Sequence, residues 1–332
     1  MNPRWSGAAL VLALVLLSHA AIFIRMAEAH ALAILFWRLL MAWPIMALIV
    51  FNEVRSSTKS NSEAPISKLP PTHAHPHGPP RAPLLNLADR FAIWSAGVLL
   101  FIHFVSFFVA VQRTSVAASN ILFTLNPVTT AAGAWLLHRH GLQLRLAASM
   151  ALGILGVLAL FGPWLWSESS AFDLWGGLMG VLSAVSFSAY LLTSRQVRRR
   201  LSNPRFTLEL WSVALILAGV SMLLFNVPFF GYSEKTWWAF LALAWLPTLL
   251  GHAIFTWCLN HFDINALSCA TLSEPIIAAA VAYWLFGENL SFAEVLAFLL
   301  TSASIALLTW PWLRGQWHRR LGAIRSRSEA QH

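Results

Sequence analysis

Glu274 is followed directly by Pro275 inside a long apolar run. If residues 265–286 cross a membrane, the carboxyl group lies about 15 Å from either surface at 1.5 Å per residue. An ionised carboxylate at that depth costs at least roughly 2.5 kcal/mol, so it must be protonated, paired or facing a wet cavity. Such a group can carry a coupling proton or bind a substrate ammonium, and it can equally be a fixed partner to another helix. Pro275 cannot donate to the Thr271 carbonyl, and Asn126-Pro127 repeats the break and frees Phe123. Two broken helices meeting at mid-depth suit a binding site. Arg38, roughly 10 Å into its own run, can hold a substrate carboxylate bidentately, pair with an acid such as Glu274, or snorkel to the surface. His103 and His252 are similarly deep, as is His19; a proton relay is one role for them, and a neutral ring bonded to a neighbouring helix is the plainer one. Trp37, Phe107, Trp211 and Trp257 are candidate cavity aromatics, against the simpler account that they face lipid. The expected substrate or coupling set is therefore Glu274, Arg38, Asn126, His103 and His252. Pro127 and Pro275 are the helix breaks, and no catalytic or metal-binding set and no cofactor are expected.

These residues need elements that cross a bilayer, and the composition supplies them. The chain has 332 residues, 58% hydrophobic and 11% charged, with a mean hydropathy of +0.65. A soluble domain carries roughly 25% charge, which excludes an ordinary cytosolic enzyme, a disordered chain and a disulfide-rich secreted protein. The two cysteines, Cys258 and Cys269, offer no disulfide framework or zinc spacing. Ten spans are expected, at 7–25, 31–51, 91–111, 115–137, 146–165, 173–193, 207–227, 236–258, 265–286 and 293–313. They are helices because lipid leaves no other way to satisfy the backbone, and they are too long for the alternating strands of an outer-membrane barrel. Trp5, Trp164, Trp166, Trp175, Trp237, Trp238, Trp310 and Trp312 cluster near span ends, as an interfacial belt does. The first run reads as an uncleaved span and not a signal peptide.

Eighteen of the 22 Lys and Arg residues fall on one side of this arrangement, three (Arg25, Arg113 and Lys235) on the other, and Arg38 within a span. That bias places both termini in the cytoplasm, and it makes the net charge of +9 an orientation signal with no nucleic-acid partner implied. The linker 52–88 is rich in Pro, Ser and His. Its His73, His75 and His77 alternate as weak metal ligands can, but no acidic or Cys partner lies nearby, and a flexible cytoplasmic linker is the plainer reading.

The second half of the chain repeats the first. Val11-Leu12 aligns with Val181-Leu182, Ser18 with Ser188 and Arg25 with Arg195; His103 falls on His252, Ser119 on Ser268, Pro127 on Pro275 and Ala134 on Ala282. The expected fold is an all-α integral membrane protein of ten transmembrane helices in two five-helix repeats, residues 1–165 and 166–315, followed by a basic cytoplasmic tail at 316–332. Five is odd, so the second repeat is inverted, an architecture recurrent among secondary transporters. Small-residue runs at Ala131-Ala132-Gly133-Ala134 and Ala278-Ala279-Ala280 allow close helix approach.

Arg113-Thr114-Ser115-Val116-Ala117-Ala118-Ser119, followed by Leu125-Asn126-Pro127-Val128, resembles the fourth-helix motif of EamA-type transporters of the drug/metabolite transporter superfamily. Leu272-Ser273-Glu274-Pro275-Ile276, continued by Leu285-Phe286-Gly287-Glu288-Asn289-Leu290-Ser291, is similar to the ninth-helix signature, and Phe36-Trp37-Arg38 matches the aromatic-x-Arg position of the second helix. The resemblance spans about 5–313. It implies a ten-helix transporter of small metabolites, often an exporter, in a bacterial inner membrane.

The expected function is secondary transport of a small organic metabolite such as an amino acid, nucleoside or drug-like compound, by alternating access and with protons as the coupling ion. The expected partners are that substrate and the lipid bilayer, with the chain a monomer or homodimer. A membrane enzyme would need a Gly-x-Ser, His-Glu-x-x-His or Asp-rich site, and the sequence carries none. A non-transporting sensor or scaffold would not require polar groups at matched depth in both halves.

Overall fold

Leu, Ala, Val and Phe fill long stretches of the chain almost without charge, and a backbone that cannot bond to water closes its own hydrogen bonds as helix. The computed structural model describes residues 3–62, 85–138, 144–166, 173–194, 197, 200–258, 270, 271 and 273–307, and among them no strand occurs. The elements are α1 Pro3–Met26, α2 Ala31–Ser62, α3 Leu87–Arg113, α4 Val116–Phe123 and α5 Asn126–His138. Then come α6 Leu144–Trp166, α7 Leu174–Ser194, α8 Asn203–Leu224 and α9 Glu234–Leu243, which runs through a π-helical stretch Ala244–Gly251 into α10 His252–Cys258. Ser273–Phe286 (α11) and Phe292–Leu307 (α12) follow.

Among the described residues, seven helical stretches are long and apolar enough to cross a membrane, and α11 and α12 are shorter apolar helices. Val11, Leu48, Ile154, Ile216, Trp284 and Leu299 are exposed large side chains on these helices, more apolar surface than a soluble monomer leaves to water. The protein is a multi-pass membrane protein.

Helix ends follow local chemistry. Asn86 and Asp89 form a reciprocal capping box at the start of α3, and Ser115 caps α4 through the Ala118 N–H at 2.9 Å. The α8 end falls three residues before the expected 227, because Asn226 takes a left-handed φ of 54° and the Val227 N–H bonds back to Met222 at 2.8 Å, the usual αL termination. Helix α2 runs on to Ser62, beyond the expected 51; polarity alone does not stop a helix, and the next proline is Pro65. The expected single helix over 115–137 is interrupted at Thr124 and Leu125, just ahead of Pro127. The 52–88 loop with His73, His75 and His77, residues 259–269 and the 316–332 tail lie outside the described residues except for 52–62 and 85–88.

Close packing builds the interior. Helix α3 lies along α7 and α8, α2 along α8, α4 against α7 and α11, and α1 against the whole Glu234–Cys258 element and α11. The core between α1, α2, α3, α8 and α9 is anchored by the fully buried Ile34, Leu35, Leu39, Phe108, Phe240 and Leu243.

Candidate functional site

Arg38 projects from α2 into this core and is 4% exposed. Its Nε donates to Thr248 Oγ1 at 2.6 Å, and the Thr248 hydroxyl donates in turn to the Leu243 carbonyl at 2.7 Å. Thr248 follows Pro247 in the π-helical stretch, where proline removes a backbone donor and the wide turn leaves a carbonyl for a side chain to satisfy. The guanidinium carbon lies 4.6 Å from the Phe104 ring centroid and 5.7 Å from that of Phe108. No ion pair joins Arg38 to Glu274 or to any other described carboxylate. The pairing with Glu274 is therefore not the arrangement adopted, and neither is snorkelling, since the head group is buried.

His103 is buried on α3 against α7. Its Nδ1 meets both the carbonyl and the hydroxyl of Ser183, at 3.1 and 2.9 Å. Four rings surround the imidazole, those of Phe104, Phe107, Phe123 and Phe187, with centroids 4.9–6.2 Å away. The Phe104 ring links this histidine to Arg38, with its centroid 5.1 Å from the imidazole and 4.6 Å from the guanidinium carbon, while His252 opens α10. The structure thus brings Arg38 and His103, from α2 and α3, together at Phe104. Glu274 sits in the first turn of α11, and its carboxylate has no partner among the described residues. His252 is exposed and Glu274 half-buried.

The two breaks differ in detail. The Thr271 carbonyl that Pro275 cannot reach instead accepts the Glu274 N–H at 3.0 Å. At the other break the Asn126 carbonyl accepts from the Ser188 and Thr129 hydroxyls at 3.0 and 3.1 Å, tying α5 to α7. Trp37 is used elsewhere: its indole N–H donates to the Phe229 carbonyl at 2.9 Å, and its ring packs on Phe230 and Trp237. The Trp257 side chain lies outside the described residues. Phe107 does stand beside His103, and Trp211 is buried on α8.

A second polar cluster closes one end of the bundle. Arg25, at the end of α1, donates to the Val111 and Thr114 carbonyls at 2.6 and 2.7 Å and pairs with Glu288 at 3.1 Å. Glu288 also accepts the Val116 N–H at 2.9 Å. Glu294 is 7% exposed; it accepts the Ser291 N–H and hydroxyl at 2.7 and 2.9 Å and the Ser115 hydroxyl. Glu294 and Thr248 escaped the sequence reading. Ser291-Phe292-Ala293-Glu294 is a capping-box spacing that could have shown the first, and Pro247-Thr248 is a third proline break that could have shown the second.

Residues 174–310 match the EamA-like transporter family. That matched stretch is similar to an EamA-like transporter domain. That family belongs to the drug/metabolite transporter superfamily. A protein of Archaeoglobus fulgidus described as an uncharacterized transporter is 23% identical over 307 residues, 92% of this chain and 97% of its own length. A WAT1-related chloroplastic protein of Arabidopsis thaliana is 23% identical over 211 residues, 60% of this chain and 50% of its own. A solved crystal structure shares the fold with a TM-score of 0.54 at 16% identity, over 93% of this chain and 98% of that one. The matched stretch contains Thr248, His252, Glu274, Glu288 and Glu294, while Arg38, His103 and Asn126 come from outside it.

Proposed function

We propose that the protein is a secondary transporter that exports a small organic metabolite (an amino acid, nucleoside or drug-like compound) by alternating access, with Glu274 as the proton-carrying group. The carrying observation is that the polar centre is assembled from both halves of the chain: Arg38 bonds to Thr248, and His103 to Ser183. A site at the seam of two units can be uncovered first from one side and then from the other.

The units are the two five-helix repeats, 1–165 and 166–315, inverted relative to each other. Their packing supports this reading, since exchanging the halves maps contacts onto contacts. Helix α3 lies on α7 as α1 lies on Glu234–Cys258; α4 lies on α7 as α11 lies on α1; α3 meets α8 as α2 meets the π-helical stretch. The pairs α2–α8 and α4–α11 map onto themselves. Export follows the family resemblance. The basic loops favour a bacterial cytoplasmic membrane with both termini inside, and the Arg25–Glu288 cluster then faces outward. A reporter fused after His332 should be active only in cytoplasmic form; activity on the far side would reverse this orientation.

The coupling role is tested by Glu274→Gln. Purified protein is first screened for stabilising ligands among amino acids, nucleosides, polyamines and sugars, and the hit is then followed in proteoliposomes under a pH gradient. Glu274→Gln should keep the fold and ligand-induced stabilisation but lose gradient-driven accumulation. Accumulation equal to the unsubstituted protein would remove the proton from the mechanism.

A further inference from the structure

Four basic side chains in the described residues hold a carboxylate: Arg25, Arg113, Arg200 and Lys235. Arg38 is more buried than any of them and holds none. Only its Nε is used, on Thr248, and neither Nη atom has a hydrogen-bond acceptor among the described residues. Guanidinium does not shed its charge to escape this position, and a buried charge without a partner is strongly unfavourable. Phe104 and Phe108 help, because ring faces attract a cation, but they cannot supply the in-plane acceptors that the two Nη groups require.

We infer that the missing anion is the cargo: Arg38 is the receptor for a substrate bearing a carboxylate or similar planar oxyanion on an apolar, ring-sized body. The inference rests on the transporter reading above and names the substrate class of the same site. The outer edge of the guanidinium is a rigid two-donor fork that matches a carboxylate. The apolar body is indicated by the aromatic neighbours. Phe104 stands against both Arg38 and His103, and Phe107, Phe123 and Phe187 continue the aromatic cluster to Tyr190. A cationic ligand would meet a like charge at Arg38. A neutral one would leave the guanidinium uncompensated.

Benzoate, benzamide and benzylamine carry one ring with negative, zero and positive charge, so they isolate this term. Calorimetric titration of the purified full chain near neutral pH should show benzoate binding roughly ten- to hundredfold tighter than benzamide. Arg38→Gln should erase that ratio, and Arg38→Lys should restore part of it. Thr248→Val, which leaves the guanidinium in place, should keep the preference even if Arg38→Gln does not fold. Equal binding of benzoate and benzamide, tighter binding of benzylamine, or no binding by any of the three overturns the inference. Counterflow of labelled benzoate, corrected for protein-free liposomes, separates it from the transporter reading. Arg38-dependent binding without counterflow keeps the receptor and removes transport of this class. Counterflow of benzylamine that benzoate does not inhibit keeps transport and removes the receptor.

Discussion

Gly97→Leu is expected to leave no folded protein after detergent extraction, and Gly97→Ala to lower the thermal midpoint by a loss of about 1–3 kcal/mol. A Cβ built at Gly97 falls 2.6 Å from the Val213 Cβ and 2.7 Å from its Cγ1. The Val213 Cβ is fixed by its own backbone, so no rotamer change relieves the contact, and α3 must move off α8. Alanine's better helix propensity returns about 1 kcal/mol, less than the clash removes when two long helices must separate along their seam. Val213→Ala should not rescue Gly97→Ala, because the Cβ stays. Val213→Gly should, because it moves the small residue across the same contact. A Gly97→Ala midpoint unchanged from the starting protein would mean that the α3–α8 approach is looser than described. The effect matters for function because α3 carries His103, Phe104 and Phe108, and a shifted α3 carries the walls of the Arg38 site with it.

Much of this architecture was legible in the residues. Seven membrane-length helices among the described residues follow from hydropathy, and the interruptions near Pro127 and Pro275 follow from the missing amide proton. Arg38 and His103 are both buried, because a deep polar side chain in a membrane protein has few places to go but the interior. What sequence spacing could not show is which partner each finds there. Arg38 was open to Glu274 and takes Thr248 instead, since helix rotation and the π-helical stretch decide reach, and neither is written in a linear pattern. Trp37, one residue away, points its contacts to the Phe229–Trp237 region, as neighbours about 100° apart on a helix must diverge. The charge count was also incomplete. The three basic residues assigned to the minority side each hold an acid: Arg25 with Glu288, Arg113 with Asp173, and Lys235 with Glu28. Those pairs neutralise the three cations of the minority side.

Arg25→Gln should open the end of the bundle that the Arg25–Glu288 cluster closes. Arg25 stands at the C-terminal end of α3, where its charge complements the helix dipole and its fork satisfies the Val111 and Thr114 carbonyls. Glu288 passes the link to the start of α4 through the Val116 N–H. One side chain therefore ties α1, α3, α4 and the turn before α12. The ion pair itself is partly exposed, with side-chain accessibilities of 32% and 17%, so solvent screening makes its charge–charge part small. The larger loss is the orphaned acceptors, at about 1–3 kcal/mol. A loss of that size shifts a closed-to-open equilibrium by roughly one to two powers of ten. Ala279 lies beneath the cluster, in a small recess with Ser115, Ala117, Ala282, Glu288 and Glu294, and reports on opening. With Cys258 and Cys269 replaced by serine, a cysteine at position 279 should react slowly with a membrane-impermeant maleimide, and roughly tenfold faster or more once Arg25→Gln is added. Arg25→Lys should give an intermediate rate, because it keeps the charge and loses the fork. Equal labelling in all three backgrounds would show that the cluster is a fixed strut. A graded increase is what alternating access requires, since an end that must open in every transport cycle can be held only by contacts weak enough to break when the other end closes.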